Sequence, residues 1–326
     1  MKIFVIGCGS IGQRHIKNLL KMGINEIEVY DKNQLLLEKV RKKFRIKPLN
    51  SLKFNNPDCT LICTPPNSHL KLAKKSLDEN AHVFIEKPLG NSLIGLSNLL
   101  ELSKKKKLNV FVGYVFRFDR GLIKAKQIIT QRKIGKVLAF DAYEGWYLPN
   151  WRPWQNYKTS YTSLEKLGGG IILDGSHELN YLQWLGGKIN QIFSYYVKIP
   201  KLKVKTEGIA EILILFKSKS IGRIHLDFLN PNYNRHCEIL GDGGSIKWLF
   251  EKQTLEINKF NQKKPSIIKY SSDYNQMYID EMKYVVNCLH GKKNDIISLT
   301  EGIKTLGVSL AIKKSGKTNR VVSIKR

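Results

Sequence analysis

Three groups of residues in this 326-residue chain have types and spacings that could do chemistry. Gly7, Gly9 and Gly12 form a G-x-G-x-x-G turn, and Asp31 lies 19 residues beyond Gly12. In such a turn the first glycine permits a tight bend, the second lets a pyrophosphate approach the backbone, and the third lets helix and strand pack closely. Helix-start N–H groups at Ser10, Ile11 and Gly12 would face the phosphates, and Asp31 would accept hydrogen bonds from a ribose. A carboxylate there favours NAD, because it repels a 2′-phosphate; Lys32 beside it could pair with that phosphate, so NADP is not excluded. The second group is Glu86-Lys87-Pro88. A lysine at a strand end can hold a substrate oxygen, stabilising an alkoxide as the ammonium or relaying a proton if its pKa is lowered. The residues alone also allow an ordinary surface lysine. The third group is Asp174, His177 and Glu178, following Gly168-Gly169-Gly170. Asp174 and His177 are three apart and share a helix face, so they can converge on one point; a hydrogen-bonded structural histidine is the plainer alternative.

Hydrophobic periodicity supplies the elements that would position these groups. Residues 2–6 read as a strand, 11–20 as an amphipathic helix and 26–30 as a second strand, which puts the glycine turn between strand and helix. Further on, 60–63, 82–85 and 109–113 read as strands and 34–45, 70–77 and 92–105 as helices. Pro65 and Pro66 stop the strand that ends at Cys63, and Asn67 or Ser68 can cap the helix beyond. Such alternation predicts a parallel sheet covered by helices on both faces, with ligands at the carboxyl ends of its strands.

Gly7-Cys8-Gly9-Ser10-Ile11-Gly12 with His15, then Cys63-Thr64-Pro65-Pro66-Asn67-Ser68-His69, then Glu86-Lys87-Pro88, resemble the successive motifs of the Gfo/Idh/MocA oxidoreductases, the family of glucose-fructose oxidoreductase and inositol dehydrogenase. The resemblance covers essentially the whole chain. It implies an α/β Rossmann domain with a parallel, doubly wound sheet over residues 1–118. A substrate-binding α+β domain would follow over 119–326, with an open, mostly antiparallel sheet through which copies associate. It also implies that Thr64, Pro65, Asn67, His69, Glu86 and Lys87 line the ribose and nicotinamide side of the cofactor, although His69 is also placed as a first-turn helix residue. Lys87 and His177 would be catalytic, the histidine as acid/base on the reacting hydroxyl. The family usually spaces its aspartate and histidine as Asp-x-x-x-His. Here the fourth residue before His177 is Leu173, and Asp174 comes one residue late. The role of Asp174 stays open between orienting substrate, capping the helix and pairing with a lysine.

Residues 146–157 hold three tryptophans and two tyrosines, interleaved with two prolines and Arg152, in no helical or strand period. A substrate-binding loop is expected here, carried by Trp151, Arg152, Trp154 and Tyr157, with core packing as the alternative. Aromatic faces suit sugar CH groups or a nucleobase, and an arginine suits a phosphate or carboxylate. The segment also resembles a subgroup associated with surface-polysaccharide sugar pathways. A helix over 171–185 follows, then strands at 194–199, 209–216, 221–228, 235–240 and 245–249, and helices at 278–289 and 299–314. Arg235 and His236 stay open between an active-site and a solvent-facing role.

The formal charge is +28 and the pI about 9.8, yet the excess is lysine spread along the whole length. Its longest run, Lys104 to Lys107, closes an expected helix, where cations favour the dipole. That distribution argues against specific nucleic-acid binding, while the charge would steer acidic ligands inward. Five cysteines without a C-x-x-C pair fit reduced thiols, Cys8 serving simply as a small residue. His and Asp lack metal-ligand spacing, so no metal is expected. No apolar run approaches the ~18 residues of a membrane span and no signal-peptide pattern occurs, so a soluble, cytoplasmic protein is expected. Together these features describe an NAD(P)-dependent oxidoreductase of a sugar hydroxyl or ketone, with a nucleotide-linked or acidic sugar of surface-polysaccharide synthesis as the expected substrate. A catalytically silent NAD(H)-binding sensor or assembly protein, and a reductase of a non-sugar ketone or imine, are the rivals.

Overall fold

Four consecutive apolar residues with no polar face, Ile3–Ile6 (β1), are fully buried in the computed structural model, which describes residues 1–260, 262–270 and 273–324. Burial on both sides is what a central strand of a parallel sheet requires. β1 lies between Ile27–Tyr30 (β2) and Cys59–Ile62 (β3), followed by His82–Glu86 (β4) and Val110–Gly113 (β5), in the order β2-β1-β3-β4-β5 with every pairing parallel. Helices Ser10–Lys21 (α1), Gln34–Phe44 (α2), His69–Asp78 (α3) and Leu96–Lys105 (α4) make the crossovers. The expected helix at 92–105 begins four residues late because Gly95 takes φ +83°, which ends the preceding turn before helical geometry starts.

The chain divides into two compact units, Met1–Val115 with Tyr274–Lys304, and Phe116–Asp273 with Thr305–Arg326. The sequence placed a single boundary after residue 118; it gave no sign that a late segment belongs with the parallel sheet, since an amphipathic pattern does not say which layer it covers.

In the second unit Arg120–Thr130 (α5) precedes Val137–Gly145 (β6), and the short helices Leu148–Trp151 (α6) and Ile171–Asp174 (α7) lead into Ser176–Gly186 (α8). Strands then follow in succession: Ile189–Val197 (β7), Ile209–Phe216 (β8), Ile221–Asp227 (β9), Asn234–Gly241 (β10), Gly244–Leu249 (β11), Thr254–Lys259 (β12) and Ser266–Lys269 (β13). In β8, Ala210, Ile212, Ile214 and Phe216 are buried while Glu211 and Leu213 are exposed, the alternation of a sheet with one covered face. After β13 come Tyr274–Leu289 (α9), Leu299–Thr318 (α10) and Val322–Ser323 (β14). The sheet runs β13-β12-β11-β10-β6-β9-β8-β7-β14, antiparallel throughout except for β6 with β9.

The single helix expected over 171–185 is two helices, α7 and α8, meeting at Gly175. A Cβ at Gly175 would come within 2.9 Å of the Leu226 methyls, so β9 packs against the break itself. β12 and β13 were not foreseen from the sequence: β12 alternates only at Leu255 and Ile257, and β13, Ser266–Lys269, has no alternation.

α9 packs against α1 within the first unit, where Asn18 and Asn275 exchange amide hydrogen bonds at 2.8 and 3.3 Å and the Arg14 guanidinium lies 4.5 Å from the Tyr278 ring centre. Just beyond it, Val112 donates its N–H to the Ile297 carbonyl at 2.8 Å, extending the edge strand β5. Among the described residues no helix is long and apolar enough to cross a membrane.

Candidate active site

Parallel register brings the cofactor candidates of the first unit to one edge, because Ile6 pairs with Tyr30 and Ile62, and Glu86 with Gly113. Gly7 leaves β1 at φ +103° and donates its N–H to the Tyr30 carbonyl at 2.9 Å. A Cβ on Gly12 would collide with the Gly7 carbonyl, whereas one on Gly9 would meet nothing within 4 Å. Helix and strand therefore touch at Gly12, and the turn is open at Gly9. α1 has no side-chain cap and no acid in its first turn, which leaves the first-turn N–H groups, at Ser10, Ile11 and Gly12, to an anion. Asp31 accepts the Cys8 N–H at 2.7 Å through one oxygen and the Asn33 N–H at 2.8 Å through the other. Each oxygen retains a lone pair for a ribose hydroxyl. These residues fit a dinucleotide. The Cys8 thiol is pushed up to about 12, first by burial and then by Asp31, so it stays neutral and acts as the small filler its place in the turn requires.

Beyond β3, the Thr64 and Ser68 hydroxyls are 2.7 Å apart and Ser68 donates to the Pro65 carbonyl at 2.9 Å. Thr64 and Pro65 are half-buried and Asn67 is exposed. His69 is fully buried, with Nε2 2.7 Å from the Thr64 carbonyl and Nδ1 3.0 Å from that of Pro88. Burial lowers its pKa, and the ring sits between the turn after β3 and the turn after β4.

At the end of β4 the Glu86 carboxylate points inward: Oε1 lies 2.6 Å from His15 Nε2, and Oε2 accepts the Lys87 main-chain N–H at 3.2 Å. Lys87 is half-buried and its peptide to Pro88 is cis. Glu281 on α9 is fully buried, and neither of its carboxyl oxygens has a hydrogen-bond partner among the described residues. Desolvation, and secondarily the charge of Glu86, raises its pKa well above the usual carboxylate range.

In the second unit Asp174 and His177 are both buried and sit on either side of the Gly175 break. Asp174 accepts a hydrogen bond from the Tyr161 hydroxyl at 2.7 Å, and the His177 ring meets Phe116 edge-on at 4.9 Å. Glu178 turns to Arg235, whose Nε is 2.9 Å from it, and Nη2 of the same guanidinium pairs with Glu144. Burial raises the Glu178 pKa, and Glu144 adds to that rise against the pull of Arg235. Arg235 is thus a buried structural cation, 4.3 Å from the Phe116 ring centre, and His236 faces the other side of the sheet, stacked on Tyr143 at 5.2 Å.

The aromatic segment is part packing, part hollow. Trp146 meets Trp151 and Tyr233, and Trp151 meets Phe228, at ring separations of 5.0–6.0 Å. Leu148, Trp151, Arg152, Gln155, Tyr157, Ser160 and Thr162 line a shallow, open hollow. The Arg152 guanidinium lies 5.7 Å from the Trp151 ring and 5.6 Å from that of Tyr161. Trp154, 72% exposed, does not line the hollow. The structure thus gathers Trp151, Arg152 and Tyr157 and leaves Trp154 outside.

Sequence reasoning gave His15 no partner and passed over Glu281 and the Arg235 cluster. Glu281 had a signal: it occupies a core position among Met277, Tyr278, Met282, Tyr284 and Val285 at helical spacing. Among the described residues no group of three or more His, Cys, Asp or Glu could hold a metal ion.

Comparison with known proteins finds two adjoining family models. Residues 1–114 match "Oxidoreductase family, NAD-binding Rossmann fold", and residues 122–247 match "GFO/IDH/MocA C-terminal domain". Myo-inositol 2-dehydrogenase of Thermotoga maritima is 25% identical over 99% of this chain and 98% of its own. Among solved structures, levoglucosan dehydrogenase with NADH and levoglucosan superposes at a TM-score of 0.89 with 17% identity, covering 100% of this chain and 99% of that one. The WlbA dehydrogenase of Bordetella pertussis with NADH and UDP-GlcNAcA gives 0.84 with 20% identity, covering 100% and 98%.

Folded Glu281 holds its proton more tightly than the unfolded chain does, so its stabilising contribution is complete below the unfolded pKa of ~4.3 and is lost as pH rises through the folded value. Glu281→Gln, a permanently neutral isostere, should therefore raise the unfolding temperature at about pH 8.5 by at least ~2 °C. That gain should shrink toward about pH 5. Calorimetry at both pH values decides it; a gain independent of pH contradicts the assignment.

Proposed function

The chain belongs to the Gfo/Idh/MocA oxidoreductases, NAD-dependent enzymes acting on CH–OH groups, and from that premise we propose that its substrate is a sugar bearing a negative charge, acidic or nucleotide-linked, of the kind used in surface-polysaccharide synthesis. The observation that carries this reading is Arg152, held between Trp151 and Tyr161 at the hollow that Tyr157, Ser160 and Thr162 also line. A guanidinium beside aromatic faces suits a carboxylate or phosphate attached to a sugar, and the +28 chain draws anions toward it. WlbA, solved with a nucleotide sugar acid, shares the fold. A neutral polyol is the second reading, favoured by the full-length similarity to an inositol dehydrogenase.

Bound NAD supplies the hydride acceptor or donor. The chain's own residues manage the oxygen. In the alcohol-to-ketone direction the Lys87 ammonium stabilises the developing alkoxide, His177 takes the hydroxyl proton, and the carbinol hydrogen leaves with its electron pair. Ketone reduction runs these steps backward. Asp174, tethered by Tyr161, orients substrate in this scheme. Asp31, with an unesterified ribose as its complement, gives NAD the advantage over NADP. We further assign self-association to the outer face of the nine-stranded sheet, where Leu213, Ile221, Leu240 and Tyr195 are 45–60% exposed.

Three outcomes test this reading. Lys87→Ala should lower turnover by about 10²–10⁴-fold while NADH affinity, read by fluorescence, changes less than about threefold; retained turnover defeats the mechanism, and a parent that binds NADH but turns over no sugar points to a silent binder. With NAD and a panel including UDP-GlcNAcA and myo-inositol, Arg152→Gln should raise KM for the charged sugar roughly 10–100-fold, the worth of a charge-assisted hydrogen bond, with little effect on the neutral one. Turnover of myo-inositol alone replaces the first reading with the second. Sedimentation should show a dimer or higher species that Ile221→Lys dissociates, and a monomeric parent refutes the association.

A further inference from the structure

The inward pairing of Glu86 is not needed to hold the sheet together, because its strand neighbours already complete the main-chain ladder from β3 to β5. Burying a carboxyl group is costly unless its oxygens are bonded, and here both are: one by His15, fully buried on α1, and one by the peptide N–H of Lys87. Room is made for this arrangement. Gly113 lies opposite Glu86 in the sheet, and a Cβ there would stand 3.3 Å from Glu86 Oε2 and 2.9 Å from the Phe84 ring. The His15 ring is fixed from its other sides by Phe84 at 5.2 Å and Tyr278 at 6.0 Å, both edge-on. α1 is the helix whose N-terminus opens at the glycine turn, so a continuous chain of short contacts runs from that helix through His15 and Glu86 to the backbone of Lys87.

We propose that His15 is a positioning residue of the reaction, which through Glu86 fixes the Lys87 backbone relative to α1 and so sets the lysine against whatever the glycine turn holds. This rests on the reading that Lys87 manages the substrate oxygen. Of the two buried glutamates here, Glu86 is the one that contacts His15, at 2.6 Å. Losing the His15 donor leaves that carboxylate buried with half its hydrogen bonding gone, and it re-sorts toward any other donor, releasing the Lys87 N–H.

The test uses the full chain with His15→Leu, which keeps bulk without a donor, and His15→Gln, whose side-chain N–H can reach the place of Nε2. Hydrogen exchange is followed in the peptide spanning residues 85–89. Exchange at the Lys87 amide should quicken about tenfold or more in His15→Leu and stay within about threefold of the parent in His15→Gln. With NAD and the sugar from the panel that the parent turns over, His15→Leu should lower kcat about 10–100-fold with KM for NAD within about threefold, and His15→Gln should restore most of it. If His15→Leu does not fold, Glu86→Gln, with one oxygen for two donors, is judged by the same exchange and the same kcat loss. Unchanged exchange and kcat overturn the proposal, as does a loss confined to KM for NAD, or a His15→Gln protein as impaired as His15→Leu. The exchange result stands apart from turnover. An active Lys87→Ala enzyme would defeat the catalytic reading of the lysine, whereas inert Lys87→Ala beside an unaffected His15→Leu would defeat only this inference.

Discussion

Everything in the first unit follows from the registration of five parallel strands. A parallel sheet sends all its strands out at the same edge, and the pairing of Ile6 with Tyr30 and Ile62, then of Ile62 with Ile85 and of Glu86 with Gly113, aligns those exits. The glycine turn, Asp31, the Thr64 turn and Lys87 are separated by tens of residues in sequence and become neighbours along one rim for that reason alone. No side chain has to recruit another. The local chemistry then refines the rim: Gly12 lets the helix touch the strand, and His69 ties the turn after β3 to the turn after β4.

The parts legible in the sequence are those whose chemistry is local. A glycine turn announces its geometry because only glycine tolerates φ +103° at Gly7 and the contact at Gly12, and alternation of apolar runs gave both sheets. Arg152 and its aromatic neighbours stood out because loops seldom carry them. What stayed hidden depends on distant partners. Nothing near Arg235 says that Glu178 and Glu144, 57 and 91 residues away in the chain, will enclose it. The break at Gly175 was hidden because one glycine in an apolar helical pattern is usually tolerated, and here the packing of Leu226 decides the matter.

The two units treat buried charge differently. In the second, the Arg235 guanidinium pairs with Glu178 and Glu144 beside an aromatic ring, and burial raises the Glu178 pKa well above the usual carboxylate range. Such a triad contributes more to a unique arrangement than to net stability, since each ion must be stripped of water. In the first, the Glu281 carboxyl has no hydrogen-bond partner among the described residues, and burial raises its pKa, which favours the protonated form. Glu86 lies between these extremes, with one oxygen against the His15 imidazole and the other accepting a peptide N–H.

The assignment of Tyr274–Lys304 to the first unit has a consequence for the order of events on the ribosome. The parallel sheet is complete once residue 115 has emerged, yet the helix that covers α1 and the segment that extends β5 are still unmade. All of Phe116–Asp273 must be translated first, which at ~5–20 residues per second takes roughly ten to thirty seconds. Over that interval the nascent sheet presents an uncovered flank, and the second unit is finished later still, because Thr305–Arg326 follows Lys304. Vectorial synthesis thus leaves both units waiting on late segments, the first on Tyr274–Lys304 and the second on Thr305–Arg326.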